Sequence, residues 1–229
     1  MGEEPNRLPT VTLSYAQTLD GRLATATGSS QWISCKSSLV RAHELRARHD
    51  AVMVGVGTVC RDDPRLTVRL APGKNPLRVV VDSTLRTPPS AAVLSDGAAG
   101  RTVLAVTGRA PRERRARAER LGAHVLRLPE NAEGRVDLRA LLVALRERGI
   151  RSVMVEGGAA LITSFLREHL ADRLAVCVAP KLLGCGIEAV GELGIHDLGG
   201  ALLLEEPSVT VCGTDILVEG EIYYPDDPA

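Results

Sequence analysis

Aromatic side chains are almost missing from this chain, with one Trp, three Tyr and one Phe among 229 residues. That scarcity leaves no stacking platform for single-stranded nucleic acid. Net charge is missing too: 28 Lys and Arg balance 28 Asp and Glu, which argues against the broad positive face a duplex requires. The five cysteines, at 35, 60, 177, 185 and 212, are odd in number and lack C-x-x-C spacing. They offer neither a zinc site nor a disulfide framework, and predict reduced, mostly buried thiols. Met1-Gly2-Glu3-Glu4-Pro5 has neither the basic start nor the apolar stretch of a signal peptide. Apolar runs stop at strand length, so no segment is expected to span a membrane. These absences predict a soluble cytoplasmic protein with no metal, no nucleic acid and no membrane among its partners.

What is present is a hydrophobic fraction of 45%. In a chain of this length that supports one good core and a single domain over residues 1–229, with 1–8 expected to be disordered. Charge is unevenly spread: residues 36–78 hold nine Lys and Arg against four acids, whereas 185–229 hold ten acids and no base. A basic segment in a neutral protein suits one small anionic ligand. β-rich runs are read at Val11–Ala16, Ala51–Val56, Leu77–Asp82, Thr102–Thr107, His124–Leu128, Ser152–Val155, Leu174–Ala179 and Ser208–Gly220. Helical patterns lie between several of them. One is capped by Ser34 and runs to Arg48, and Arg112–Leu121 follows Pro111. Leu138–Arg148 is capped by Asp137 and stopped by Gly149, and Gly158–Leu170 is the fourth. Strands alternating with helices predict an α/β fold with a mainly parallel central sheet and flanking helices; the helix-poor stretch 174–222 predicts an antiparallel end. Arg109–Arg120, with six arginines, reads as a solvated helix face.

Three segments could carry chemistry. The apolar run Ala51–Val56 opens at Gly55-Val56-Gly57-Thr58 into a polar loop holding Arg61, Asp62, Asp63, Arg65 and Arg69. A buried strand ending in such a loop is where α/β folds place ligands. Val11–Arg22 delivers Ser14 and Ala16 to one face before a turn at Asp20-Gly21, and Gly28-Ser29-Ser30-Gln31-Trp32 then brings small hydroxyl residues toward a helix start. Val153-Met154-Val155-Glu156-Gly157-Gly158 runs a buried strand into a glycine pair where a helix begins. Free N–H groups, the helix dipole and missing Cβ atoms suit a pyrophosphate there, and Glu156 would accept from N–H or O–H groups of an uncharged ligand part. Taken singly, each segment also fits an ordinary strand-to-turn junction. Familiar alternatives fail on spacing. A dinucleotide fingerprint begun by Gly55 and Gly57 meets Cys60, and there is no P-loop, no G-x-S-x-G elbow and no zinc deaminase signature. His43 is expected to be a surface or packing residue.

Leu19-Asp20-Gly21-Arg22, Trp32-Ile33-Ser34, Gly57-Thr58-Val59, Asp62-Asp63-Pro64-x-Leu66-Thr67-Val68-Arg69, Val81-Asp82-Ser83, Val155-Glu156-Gly157-Gly158 and Ala179-Pro180-Lys181-Leu182-Leu183-Gly184 follow in that order. Together they resemble the pyrimidine reductases of riboflavin biosynthesis over nearly the whole chain. The resemblance implies a dihydrofolate-reductase-like fold, a homodimer, and reduction of a phosphoribosylamino-pyrimidine at its ribosyl C1′ by NADPH, or by NADH. It implies cofactor along Ala16, Trp32, Thr58, Asp62, Ser83 and Gly157-Gly158-Ala159-Ala160-Leu161, and substrate at Ser30, Arg46, Leu66, Arg69 and Glu156. Two arginines suit a 5′-phosphate, and a carboxylate suits the amino and ring N–H edge of the pyrimidine. The catalytic proton donor is left to Asp62, Glu156 or a bound water.

Two departures bear on the substrate. Bacterial two-domain members commonly carry a first-strand lysine where this chain has Ser14, and no zinc deaminase half is read here. Val11-Thr12-Leu13-x-Tyr15-Ala16-Gln17 looks like the fungal form, and Ile33-Ser34-Cys35 with Arg41-x-His43 looks like the archaeal form. The resemblance therefore implies reduction before deamination, on 2,5-diamino-6-(5-phosphoribosylamino)pyrimidin-4-one. The alternatives are the deaminated 5-amino-uracil, a related nucleotide of a specialised pathway, and a nucleotide-binding protein without turnover. Intact Asp62, Arg69 and Glu156 argue against the last.

Overall fold

The computed structural model describes residues 7–31 and 33–225. Residues 1–6 of the segment 1–8 expected to be disordered, and the expected cofactor contact Trp32, lie outside the described residues. Leu8, at the inner end of that segment, packs against the core.

Alternation along the strands sets two faces. In β3 (Ala51–Gly55), Ala51 and Met53 join one core cluster while Val52 and Val54 join another. All four are at most 1% exposed, as a parallel strand covered on both sides requires. The other strands are β1 (Thr10–Thr18), β2 (Arg22–Thr25), β4 (Leu77–Val81), β5 (Thr102–Val106), β6 (His124–Arg127), β7 (Ser152–Gly157), β8 (Arg173–Ala179), β9 (Gly186–Glu188), β10 (Leu203–Cys212) and β11 (Asp215–Tyr223). Nine of them form one sheet in the order β10-β11-β8-β1-β7-β3-β4-β5-β6. From β8 to β6 its neighbours pair in parallel; β11 is antiparallel to β8 and β10 to β11. The antiparallel end thus begins after β8, not at residue 174. The short β2 and β9 pair separately.

Helices α5 (Leu138–Arg146) and α6 (Ala159–Arg167) cover one face, where Leu141, Leu145, Ile162 and Phe165 pack with Leu13, Met53, Val79 and Val155. Over the other face lie α2 (Val56–Asp62), α3 (Ala92–Ser95) and α4 (Arg112–Arg120), with Val59, Val93 and Ala118 against Val52, Val80 and Leu104. Leu45 of α1 (Lys36–Arg48) packs there on Met154 and Ala175.

Three local readings are corrected. The polar stretch after β3 begins as helix: Gly55 takes an extended N-cap conformation and α2 starts at Val56. Ser34 does not cap α1. The N-cap is Cys35, with no side-chain cap; its own N–H donates to Asp215 Oδ2 at 2.6 Å, 180 residues away. Ser208–Gly220 is not one strand but parts of two, β10 and β11, joined by a turn at which Gly213 adopts φ +64 and Cys212 pairs with Asp215. Asp137 does cap α5, accepting Ala140 N–H at 2.8 Å.

Candidate active site

The carboxyl ends of β1, β7, β3 and β4 meet where the strand order jumps between early and late segments, the place where open α/β sheets bind ligands. Two helices begin there. Thr58 sits in the first turn of α2, and α6 starts behind Gly158, an extended N-cap with no side-chain cap. Gly157 adopts φ +125, a conformation L side chains rarely adopt, and the Gly157–Gly158 peptide is cis. A Cβ on Gly158 would lie 3.3 Å from Thr58 Oγ1, so the two helix starts are in close approach. N–H groups without a side-chain cap at the start of α6, with the helix dipole behind them, are chemically suited to an anion.

Clefts open on both sides of that start. The first, about 510 Å³, is lined by Ala16, Ser30, Thr58, Asp62, Glu156 and Gly158, among others. The second, about 590 Å³, is lined by Ser83, Ala160 and Leu161 together with Arg86, Arg109 and Arg135. The expected cofactor residues thus divide between two lobes with the α6 start between them, a layout that fits an extended dinucleotide with a central pyrophosphate. Ser83 Oγ accepts Val136 N–H at 3.1 Å, tying the second lobe to the α5 approach.

Glu156, at the end of β7, is held by Arg46 from α1. Arg46 Nη2 donates to Oε2 at 2.8 Å, Nε donates to Oε1, and Nη1 reaches Thr67 C=O at 3.1 Å. The two side chains are 13% and 14% exposed. Burial opposes the Arg46 charge, but the attraction and hydrogen bonds of Glu156 outweigh it and raise its pKa. Arg69 is exposed and its Nη1 donates to Thr67 Oγ1 at 2.7 Å. Asp62 is exposed at the first cleft and accepts from Ser30 Oγ at 3.2 Å.

Ser30, Asp62, Thr58, Gly158 and Glu156 are therefore brought together. Leu66 is not part of that wall: it is 1% exposed in the core beneath α2, with φ 54, so neither its side chain nor its backbone is open to a ligand. A recess of about 170 Å³ beside Glu156 is lined by Ser14, Ser38, Met154 and Cys177, among others. Sequence reasoning missed Tyr15, which lines both cleft and recess and whose phenol burial pushes up to about 12, keeping its proton at neutral pH. It also missed His43, which is 4% exposed and hydrogen-bonded to the Arg69 backbone. The alternation of β1 was the available signal for Tyr15; nothing local signalled His43.

Comparison with known proteins identifies the family. The chain is 46% identical over 217 residues to the 2,5-diamino-6-ribosylamino-4(3H)-pyrimidinone 5′-phosphate reductase of Methanothermobacter thermautotrophicus, covering 92% of this chain and 97% of that protein. It is 41% identical to the riboflavin biosynthesis protein RibD of Aquifex aeolicus, of which it spans 57%. The solved structure of Acinetobacter baumannii RibD superposes with a TM-score of 0.82 at 29% identity, over 94% of this chain and 58% of that one. A dihydrofolate reductase from Enterococcus faecalis shares the fold at TM-score 0.53 and 12% identity, over 95% and 97% of the two chains. With residues 9–218 matching the model of the RibD C-terminal domain, the chain belongs to that family of riboflavin-biosynthesis reductases.

Proposed function

We propose that the chain reduces 2,5-diamino-6-(5-phosphoribosylamino)pyrimidin-4-one at the ribosyl C1′, giving the ribitylamino product. The observation that carries this is the uncapped start of α6, flanked by two clefts and by the Arg46-held Glu156. The archaeal relative named for that substrate supports the choice. The reductase family implies a nicotinamide cofactor, which when bound supplies a hydride. The α6 start and Thr58 would hold its pyrophosphate, with Ala16 and Asp62 in the first cleft and Ser83 in the second available to its two ends. Arg86, Arg109 and Arg135 around the second cleft favour NADPH over NADH, because a 2′-phosphate is the feature such cations read.

For the substrate, Glu156 accepts from the amino and ring N–H edge of the pyrimidine, and Arg46 holds its plane. Arg69 with Arg46 forms the cationic pole for the 5′-phosphate. As the C1′–O4′ bond breaks, O4′ takes a proton while C1′ takes the hydride. Both Glu156 oxygens already accept from Arg46, so Asp62, which accepts from the Ser30 hydroxyl, is the carboxylate placed to relay that proton from water to O4′. Positioning and water exclusion supply most of the rate.

A homodimer is supported by β10, an edge strand whose Leu203, Val209 and Val211 are 54%, 66% and 75% exposed. All five cysteines are free thiols, but against the expectation of mostly buried thiols only Cys177 is buried, and Cys60 and Cys185 are exposed. Incubation with NADPH and each pyrimidine, following the reduced-nicotinamide absorbance and the ribitylamino product, tests the assignment. Absence of turnover with both would leave a nucleotide-binding protein instead.

A further inference from the structure

Residues 63–69 carry Arg69 yet form no strand or helix of their own. The loop turns through two left-handed residues, Asp63 (φ 40) and Leu66 (φ 54). Its backbone groups are met by side chains from elsewhere. Asn75 Oδ1 accepts Val68 N–H at 2.7 Å, and Arg46 Nη1 donates to Thr67 C=O at 3.1 Å. Arg69 N–H goes to His43 Nδ1 at 2.9 Å. His43 lies on α1 one helical turn before Arg46, so one ring stands between the two arginines of the phosphate pole.

The second ring nitrogen decides the protonation state. Nε2 lies 3.4 Å from Arg46 Nη1. A backbone amide and a guanidinium both only donate, and a neutral imidazole has one bare nitrogen, so it accepts from one of them. The 2.9 Å contact is the hydrogen bond. Nδ1 is bare, the proton sits on Nε2, and Arg46 directs three of its five hydrogens to Glu156 and Thr67. A second ring proton would remove the acceptor of Arg69 N–H and set a new positive charge beside two arginines. Burial first, then Arg46 and Arg69, hold the ring neutral down to about pH 4, against a smaller opposing pull from Glu156.

We propose that His43 is a positioning residue for the substrate phosphate: as a neutral acceptor it pins the Arg69 backbone beside Arg46 and so sets the spacing of the two guanidinium groups. The identity of the ligand rests on the reductase reading above; the hydrogen bond does not.

The test uses ribose 5-phosphate as probe, with calorimetry, steady-state kinetics and nitrogen NMR of the imidazole. In His43→Leu, the Kd for ribose 5-phosphate and the KM for the pyrimidine substrate rise about tenfold, while kcat and NADPH affinity stay within about twofold. His43→Asn, whose Oδ1 takes the place of Nδ1, recovers most of the loss; His43→Gln, whose amide falls near Nε2, does not. The wild-type ring shows the Nε2-protonated pattern at pH 7. A ring protonated on Nδ1, equal losses in all three variants, a parallel fall in NADPH affinity, or a wild-type chain that does not bind ribose 5-phosphate overturns the proposal. A chain that follows this binding pattern and yet reduces neither pyrimidine refutes the reductase reading and leaves His43 where it is placed.

Discussion

Arg46 and Glu156 close on each other as a two-pronged fork, with Nη2 to Oε2 at 2.8 Å and Nε to Oε1 alongside. The guanidinium is thus no free phosphate ligand. It holds the carboxylate proposed to read the pyrimidine, and only the second hydrogens of Nη1 and Nη2 are left for a phosphate. The two functions assigned to these residues are coupled by construction.

A double-mutant cycle measures that coupling. Arg46→Ala and Glu156→Gln should each raise the substrate KM by one to two orders of magnitude, on the order of 1.5–3 kcal/mol, with NADPH affinity barely changed. The double variant should lose much less than the sum, with an interaction energy of about 1–3 kcal/mol. Strict additivity would show that the two side chains serve separate parts of the ligand.

The α6 start makes the opposite demand, on the cofactor alone. In Gly158→Val the backbone, at φ −77 and ψ −173, tolerates the side chain, but its Cβ arrives 3.3 Å from Thr58 Oγ1 and its branch fills the seat. The Kd for NADPH should rise about tenfold or more, roughly 1.4 kcal/mol. Unchanged affinity in a folded variant, measured by fluorescence titration, rejects the pyrophosphate placement.

Acid stability should track Asp215, which is 1% exposed and accepts from Cys35 N–H and from Ser38 Oγ, the latter at 2.7 Å. Burial raises its carboxyl pKa, but these hydrogen bonds outweigh that and leave it below the ordinary value. In the unfolded chain it titrates near ~3.9. The stabilisation is therefore complete above that pH and lost as pH falls through the lower folded value. Asp215→Asn should lower stability at neutral pH by about 1–3 kcal/mol and flatten the acid limb below about pH 4. Thermal melts of both proteins across pH that run parallel would exclude the carboxylate as the source.

How much of this was legible in the sequence follows from the range of the forces involved. Strands and helices with a strong apolar period, such as Ala51–Gly55 and Leu138–Arg146, were readable because their pattern is local. Glu156 beside a glycine pair was readable because strand, carboxylate and helix start are consecutive. The Cys35 N-cap was not, since the acceptor of its N–H is Asp215. Nor was the Arg46–Glu156 fork, whose partners are 110 residues apart. Leu66 looked like a ligand contact by its place in a motif, whereas its left-handed backbone turns the side chain into the core. His43 looked like packing, and is packed, but its ring nitrogen is committed to a loop 26 residues on.

The recess beside Glu156 is the proposed point at which the two pyrimidines are told apart. It holds about 170 Å³ between Ser14, Ser38, Met154 and Cys177, and Ser14 is 8% exposed there. The two candidate substrates differ at C2, where an exocyclic amine in one replaces a carbonyl oxygen in the other. The amine needs an acceptor, which Glu156 and the Ser14 hydroxyl supply; a carbonyl would face the Glu156 lone pairs. The mismatch costs about 1–3 kcal/mol, so the wild type should prefer the 2,5-diamino substrate by roughly 5- to 150-fold in kcat/KM. Ser14→Lys places a donor in the recess and should shift the ratio toward the deaminated uracil, whereas Ser14→Met, which fills the space without charge, should slow both substrates alike. Both phosphoribosylamino-pyrimidines, made enzymatically and assayed with NADPH under the same conditions, give the ratio directly. Equal or reversed kcat/KM values in the wild type would overturn the preference for reduction before deamination, and a Ser14→Met ratio that moves as far as the Ser14→Lys ratio would assign the selection to volume instead of hydrogen bonding.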